Sequence, residues 1–107
     1  MLVIGAPGGS RIISMVLLGV LDYLAQREID LNSIVTAPRY HHQYLPDRIE
    51  IEPDGFSEEW RRALEAKGHK LEMANRKWGN MQVVFRAKRS GEAQAANDPR
   101  GSNVAAY

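Results

Sequence analysis

Three pieces stand back to back at the start of this chain: the apolar run Leu2-Val3-Ile4, the turn Ala6-Pro7-Gly8-Gly9-Ser10-Arg11, and an apolar-periodic segment from Ile12 to Leu24. The order reads as strand, glycine turn and helix start. An unbroken apolar run fits a strand buried on both faces. Ser10 has the chemistry of an N-cap, since its hydroxyl can accept from a first-turn N–H. Gly8 and Gly9 carry no Cβ, so they can take positive φ and let a carbonyl or phosphate come close to the backbone. Pro7 has no N–H to offer, which leaves the amides of Gly8, Gly9 and the helix start as candidate donors to an anion. An ordinary tight turn that caps a helix fits the same residues.

The chain has 107 residues, which fits a single domain, long enough for one core but not for two. With 44% apolar and 25% charged residues it belongs among globular chains. Its 14 basic and 13 acidic residues nearly cancel, which argues against a nucleic-acid surface or any partner held by bulk charge. The absence of cysteine excludes disulfides and thiolate zinc sites and leaves the compartment open. Ile12 to Leu24 is shorter than the roughly 20 residues that cross a bilayer, so no membrane partner is expected. No basic leader precedes Leu2, so a signal peptide is not expected and the chain is expected to start inside a fold.

In the first helix, Ile12, Ile13, Val16, Leu17, Val20, Leu21 and Leu24, widened by Met15 and Leu18, predict a core element lying between two layers. Asp30 caps a short second helix with Leu31, Ile34 and Val35 on one face, ending before Pro38. The loop Ala37 to Asp47 holds two of the three histidines, His41 and His42, and two of the four tyrosines, Tyr40 and Tyr44. Its prolines should pin an extended segment in which these rings are buried and their polar tips bonded. Adjacent histidines point apart on a strand, so no metal site is expected. Arg39 is open to a buried ion pair.

Ile49 and Ile51 alternate with Glu50 and Glu52, predicting a half-buried strand ended by Pro53-Asp54-Gly55. Ser57 caps a third helix, with Glu58 and Glu59 at its positive end, Trp60 and Leu64 inward, Glu58–Arg62 and Arg61–Glu65 ion pairs outward, and Gly68 as its stop. Residues 69–74 and 81–88 read as strands, Val83, Phe85 and Ala87 sharing a face, joined by a connection of hairpin length. A short stretch from Glu92 to Ala96 precedes the turn-rich Asn97 to Ser102, an end that offers little core.

Taken together, Gly5-Ala6-Pro7-Gly8-Gly9-Ser10-Arg11-Ile12-Ile13 and Ala37-Pro38-Arg39-Tyr40-His41-His42-Gln43-Tyr44-Leu45-Pro46-Asp47 resemble two signature segments of the gamma-glutamyltransferases, enzymes of the N-terminal nucleophile hydrolase superfamily. Gly55-Phe56-Ser57, Lys67-Gly68-His69, Gly79-Asn80 followed by Gln82, Asp98-Pro99-Arg100 and Ala105-Ala106-Tyr107 continue the resemblance in order to the last residue. It implies an α+β fold, a portion of an αββα sandwich with about three helices on antiparallel-rich strands, and places the chain in the C-terminal part of the small subunit. In such enzymes a threonine that begins the small subunit is nucleophile and, through its α-amine, base, and it forms a γ-glutamyl acyl-enzyme from amides such as glutathione. The resemblance implies that the backbone N–H groups of Gly8 and Gly9 hold the tetrahedral oxyanion, with no cofactor and no metal. Its implied partners are the missing remainder of the transferase and a small γ-glutamyl substrate. An intact bacterial-type enzyme would be periplasmic or extracellular.

The departures matter as much. The only threonine, Thr36, lies mid-chain and matches no N-terminal nucleophile. Ser10 has no dedicated base beside it in any motif. Ala6 and Ala106 are small-for-small changes. By itself the chain is expected to be inactive, and its uncovered strand edges and helix stripe should drive self-association. A second function class stays open, a non-catalytic module that binds a small anion or a partner chain. Nucleotide binding is disfavoured, because Ser10-Arg11 follows the glycines where a Walker loop needs lysine.

Overall fold

The computed structural model describes residues 1–101 and is mixed α+β, with three helices and two three-stranded sheets. In chain order the elements are β1 (Leu2–Gly5), α1 (Arg11–Ala25), α2 (Leu31–Thr36), β2 (Tyr40–His41), β3 (Ile49–Ile51), α3 (Glu58–Ala66), β4 (Leu71–Met73), β5 (Gln82–Arg86) and β6 (Ala93–Asn97). They fall into two compact units. One joins residues 1–37 to the segment from Gly79 onward, and the other is Pro38–Trp78.

In the first unit, β1, β5 and β6 form an antiparallel sheet in that order, with Ile4, Val83 and Ala96 in one row and Val3, Val84 and Ala95 in the next. The first row faces α1 and α2. There Met15, Leu31, Ile34, Val35, Met81, Val83 and Ala96 are buried. Gly19 lets α1 settle onto the sheet, because a Cβ there would collide with Ile4 Cδ1 and stand 3.2 Å from Met81 Sδ. Tyr23 packs on Phe85 with ring centroids 6.0 Å apart. Asp30 caps α2 as expected, its carboxylate accepting from Ser33 N–H at 3.2 Å.

Three expectations need correcting in this unit. β1 is not buried on both faces: its exposure alternates and Val3 is exposed opposite Val84, because helices cover only one side of the sheet. For the same reason α1 is not enclosed between layers. Only Met15 and Gly19 are buried along it, while Ile12, Ile13, Leu17, Leu21 and Leu24 are exposed, Ile13 at 77% and Leu24 at 70%. The residues after Glu92 contribute more than a turn-rich tail would, since β6 completes the sheet and Ala96 and Asp98 are buried.

In the second unit, β2 pairs antiparallel with β3, and β3 pairs parallel with β4. The 75–80 connection has hairpin length, yet β4 and β5 lie in different sheets, β4 pairing with β3 and β5 with β1 and β6. Ser57 caps α3 by accepting from Trp60 N–H at 3.1 Å, and Gly68 follows its end with φ 92°. Arg62 pairs with Glu58 as its spacing predicts, while Arg61 turns back to Glu58 rather than on to Glu65. Trp60 stacks on Phe56 at 4.3 Å, and Tyr40 meets both rings.

Desolvation by burial pushes the Asp22 carboxyl on α1 above its ordinary value of 3.8. A folded-state pKa raised above the unfolded one means that the carboxylate costs stability at neutral pH, and that stability is regained as the pH falls through the raised value. Asp22→Asn, neutral throughout, is therefore expected to raise Tm at pH 7. The gain should vanish below about pH 4, where the aspartate is protonated in both states. Thermal melts followed by circular dichroism across that range test this, and a pH-independent difference would refute it.

Candidate functional site

The glycine turn has the geometry that its residues suggested. Gly8 and Gly9 both hold positive φ, 145° and 59°, a region that side chains with a Cβ rarely enter. The helix starts directly on their carbonyls: Arg11 N–H donates to Gly8 O at 3.1 Å and Ile12 N–H to Gly9 O at 3.2 Å. Ser10 is therefore not a side-chain cap. It already has helical φ and ψ of −61° and −22°, and its hydroxyl makes no capping bond, because the turn itself supplies the acceptors. With both carbonyls used, neither glycine N–H donates to a partner among the described residues.

The two glycines differ in what lies beside them. A Cβ on Gly8 would stand 2.9 Å from the Cε of buried Met15, whereas one on Gly9 would meet nothing within 4 Å. Gly9 thus borders open space. Such a turn can offer N–H groups to an oxyanion or another small anion from its exposed side. Thr36 ends α2, where its hydroxyl donates to Asn32 O at 2.7 Å.

The second signature stretch folds around a carboxylate that the strand pattern had placed outside. Glu52 alternates with Ile51 and was expected on the wet face with Glu50, yet it is buried. One of its oxygens accepts from Arg39 N–H at 3.1 Å and the other from Trp78 N–H at 3.0 Å. The buried Arg39 guanidinium donates to Trp78 O at 2.7 Å, so one cluster holds the first and last turns of Pro38–Trp78. His41 is buried with Nε2 3.0 Å from Gln43 Oε1. Exposed His42 lies 3.1 Å from Asp47 and accepts from Tyr44 N–H through Nδ1. Tyr44, expected to bury its ring, is 77% exposed at φ 73°, because the backbone turns its side chain outward there.

Asp98-Pro99-Arg100 makes a matching cluster in the other unit. The Asp98 carboxylate accepts from Met81 N–H at 2.9 Å, Arg100 N–H at 2.9 Å and the Arg100 guanidinium at 3.0 Å. Arg100 also donates to Val35 O and Ala37 O, the carbonyls left open at the end of α2. Gln82 donates to Asn80 at 2.8 Å in the Gly79-Asn80 motif. The last motif, Ala105-Ala106-Tyr107, lies outside the described residues.

Comparison with known proteins follows the same residues. The family model described as gamma-glutamyltranspeptidase matches residues 1–107. A glutathione hydrolase proenzyme of Escherichia coli is 40% identical over 99 residues, covering 92% of this chain and 16% of that protein. Glutathione hydrolase proenzyme 2 of Schizosaccharomyces pombe is 34% identical over 106 residues, covering 96% of this chain and 17% of its own length. The gamma-glutamyltranspeptidase of Pseudomonas nitroreducens, solved in complex with L-DON, superposes with a TM-score of 0.83 at 31% identity, over 99% of this chain and 54% of that one. The chain thus spans about a sixth of the length of these curated relatives.

The two carboxylate clusters predict where stability is concentrated. Asp98→Ala removes the acceptor of three bonds and leaves a buried guanidinium partly uncompensated, at an expected cost of about 3–5 kcal/mol. Asp47→Ala, which removes one exposed hydrogen-bond partner of His42, should stay within about 0.5 kcal/mol of the parent. Urea denaturation of both variants checks the contrast, and equal midpoints would contradict it.

Proposed function

The chain belongs to the gamma-glutamyltranspeptidase family, and from that premise we propose that it is the C-terminal part of the small subunit of a γ-glutamyl-transferring or γ-glutamyl-hydrolysing enzyme, contributing the oxyanion-binding turn Gly8-Gly9. The observation that carries the reading is the pair of glycine N–H groups without partners among the described residues, on a turn whose carbonyls are already spent starting α1. Donors fixed in that way need no reorganisation when negative charge develops on a carbonyl oxygen.

The nucleophile and its base belong, on this reading, to polypeptide outside these 107 residues. Thr36, the only threonine here, has its hydroxyl engaged within α2. The reaction runs through attack on the γ-glutamyl carbonyl, collapse of the tetrahedral intermediate with loss of the amine, and release of the acyl group to water or an acceptor amine. Gly8 and Gly9 act in the first step and again in deacylation, when the same oxyanion reforms. The remainder of the enzyme is the natural cover for the exposed stripe of α1 and for the Val3–Val84 face of the sheet.

Three outcomes are expected. The 107-residue chain alone does not release the chromophore from a γ-glutamyl anilide, and turnover by the purified chain that Ser10→Ala abolishes would overturn this. In the complete enzyme, replacing Gly8 or Gly9 with valine lowers kcat by about 100-fold or more, the scale of one lost oxyanion donor. Survival of activity within about threefold contradicts the assignment. The isolated chain also self-associates at micromolar concentration, because roughly 400 Å² of helix stripe is worth on the order of 10 kcal/mol before association entropy. Sedimentation equilibrium giving a monomer up to millimolar concentration would sink that expectation.

A further inference from the structure

The underside of the glycine turn is occupied by one residue. Met15 is 1% exposed, in the second turn of α1, and its Cε reaches to within 2.9 Å of where a Gly8 Cβ would be. Among the described residues other than Gly8 and its two chain neighbours, Arg11 Cβ, at 3.8 Å, is the only further contact within 4 Å of that point. Gly9, one residue on, has nothing within 4 Å on the corresponding side. The two glycines therefore do different work. Gly9 keeps the approach open, and Gly8 lets the backbone rest directly on a methionine methyl.

We infer that Met15 is a positioning residue for the oxyanion turn, its terminal methyl setting the height and tilt of the Gly8 peptide and hence the direction of the N–H groups offered at Gly8 and Gly9. This rests on the oxyanion role proposed above. The mechanical link is short. Gly8 O and Gly9 O accept the first two helical N–H bonds, from Arg11 and Ile12, so the turn is tied to α1 on one side and carried by the α1 side chain Met15 on the other. No residue of the sheet enters that contact. A flexible, unbranched side chain can reach under a turn where a branched one cannot, and its sulfur and methyl are polarisable enough to pack against a bare peptide. Preorganised donors lose effect steeply with displacement: about 1 Å can cost about 100-fold in rate.

The informative substitution is Met15→Leu, which keeps the core volume nearly unchanged but has no atom that reaches the Cε position. Met81→Leu is the control, a conservative change at an equally buried residue that touches Gly19 instead of Gly8. In hydrogen exchange of the chain itself, Met15→Leu is expected to speed the Arg11 and Ile12 amides by about 10-fold while mid-helix amides change by less than about twofold, and Met81→Leu should leave the turn untouched. In the complete enzyme Met15→Leu should lower kcat by about 10-fold with KM within about twofold, because a misaimed oxyanion donor is felt in the transition state and not in ground-state binding. Unchanged turn exchange, or an equal effect from Met81→Leu, overturns the proposal. So does an unchanged kcat where Gly9→Val still abolishes activity, and that pattern leaves the oxyanion reading standing. If neither substitution moves kcat, the oxyanion reading is itself overturned and the role of Met15 with it.

Discussion

Two buried carboxylates, Glu52 and Asp98, each hold backbone near the ends of the chain segments within their own compact unit. Ala37 ends one unit on the way out and Met81 lies just inside it on the way back; Arg100 donates to the carbonyl of the first, and Asp98 accepts from the amide of the second. In the other unit Glu52 accepts from the amides of Arg39 and Trp78, the corresponding entry and exit. Each carboxylate is shielded from water and works beside a buried or nearly buried arginine that takes backbone carbonyls. Backbone groups at such ends have no ladder partner, and leaving them buried and unbonded would cost about 1–3 kcal/mol each. One charged side chain satisfies several at once. This gives a physical reason for Arg39 and for Asp98 with Arg100 that does not depend on catalysis.

The first unit covers only part of its apolar surface. Its sheet carries an apolar row on both faces, and α1 is apolar around most of its circumference, but only the faces turned toward each other are covered within this chain. A single amphipathic stripe suffices for a helix on an open surface. On α1 and at Val3 and Val84 the apolar surface exceeds that stripe and is left uncovered within the described residues.

What the sequence made legible was local chemistry. The Asp30 and Ser57 caps, the Gly68 stop, the positive φ of Gly8 and Gly9, and the Val83–Phe85–Ala87 face all follow from rules spanning four residues or fewer, and all are present. The failures have longer-range causes. Glu52 reads as outward because strand period carries no information about a buried hydrogen-bond acceptor. β6 is Ala-Gln-Ala-Ala-Asn, without a β-branched residue, and becomes a strand only because β5 offers it an edge. Ser10 has the right side chain for a cap, but the glycine carbonyls ahead of it already begin the helix. In the site itself, the turn was visible and the contact under it was not, since nothing in the spacing of Met15 distinguishes it from its apolar neighbours.

The Glu52 cluster has a consequence for how such a chain can change length. With Arg39 and Trp78 pinned to one carboxylate, everything between them behaves as a closed polymer loop whose ends are already brought together. For a flexible loop, closure entropy grows only logarithmically, about 0.6 kcal/mol for each doubling of length, so residues added in the exposed turns at 43–47 or 75–77 shift the balance little. The same residues added between Arg39 and Tyr40, or between Lys77 and Trp78, would pull an amide off the carboxylate. Indels are therefore expected to be absorbed in the turns of the Pro38–Trp78 unit and excluded from its two ends, leaving those ends as fixed posts around which the rest of the unit can drift.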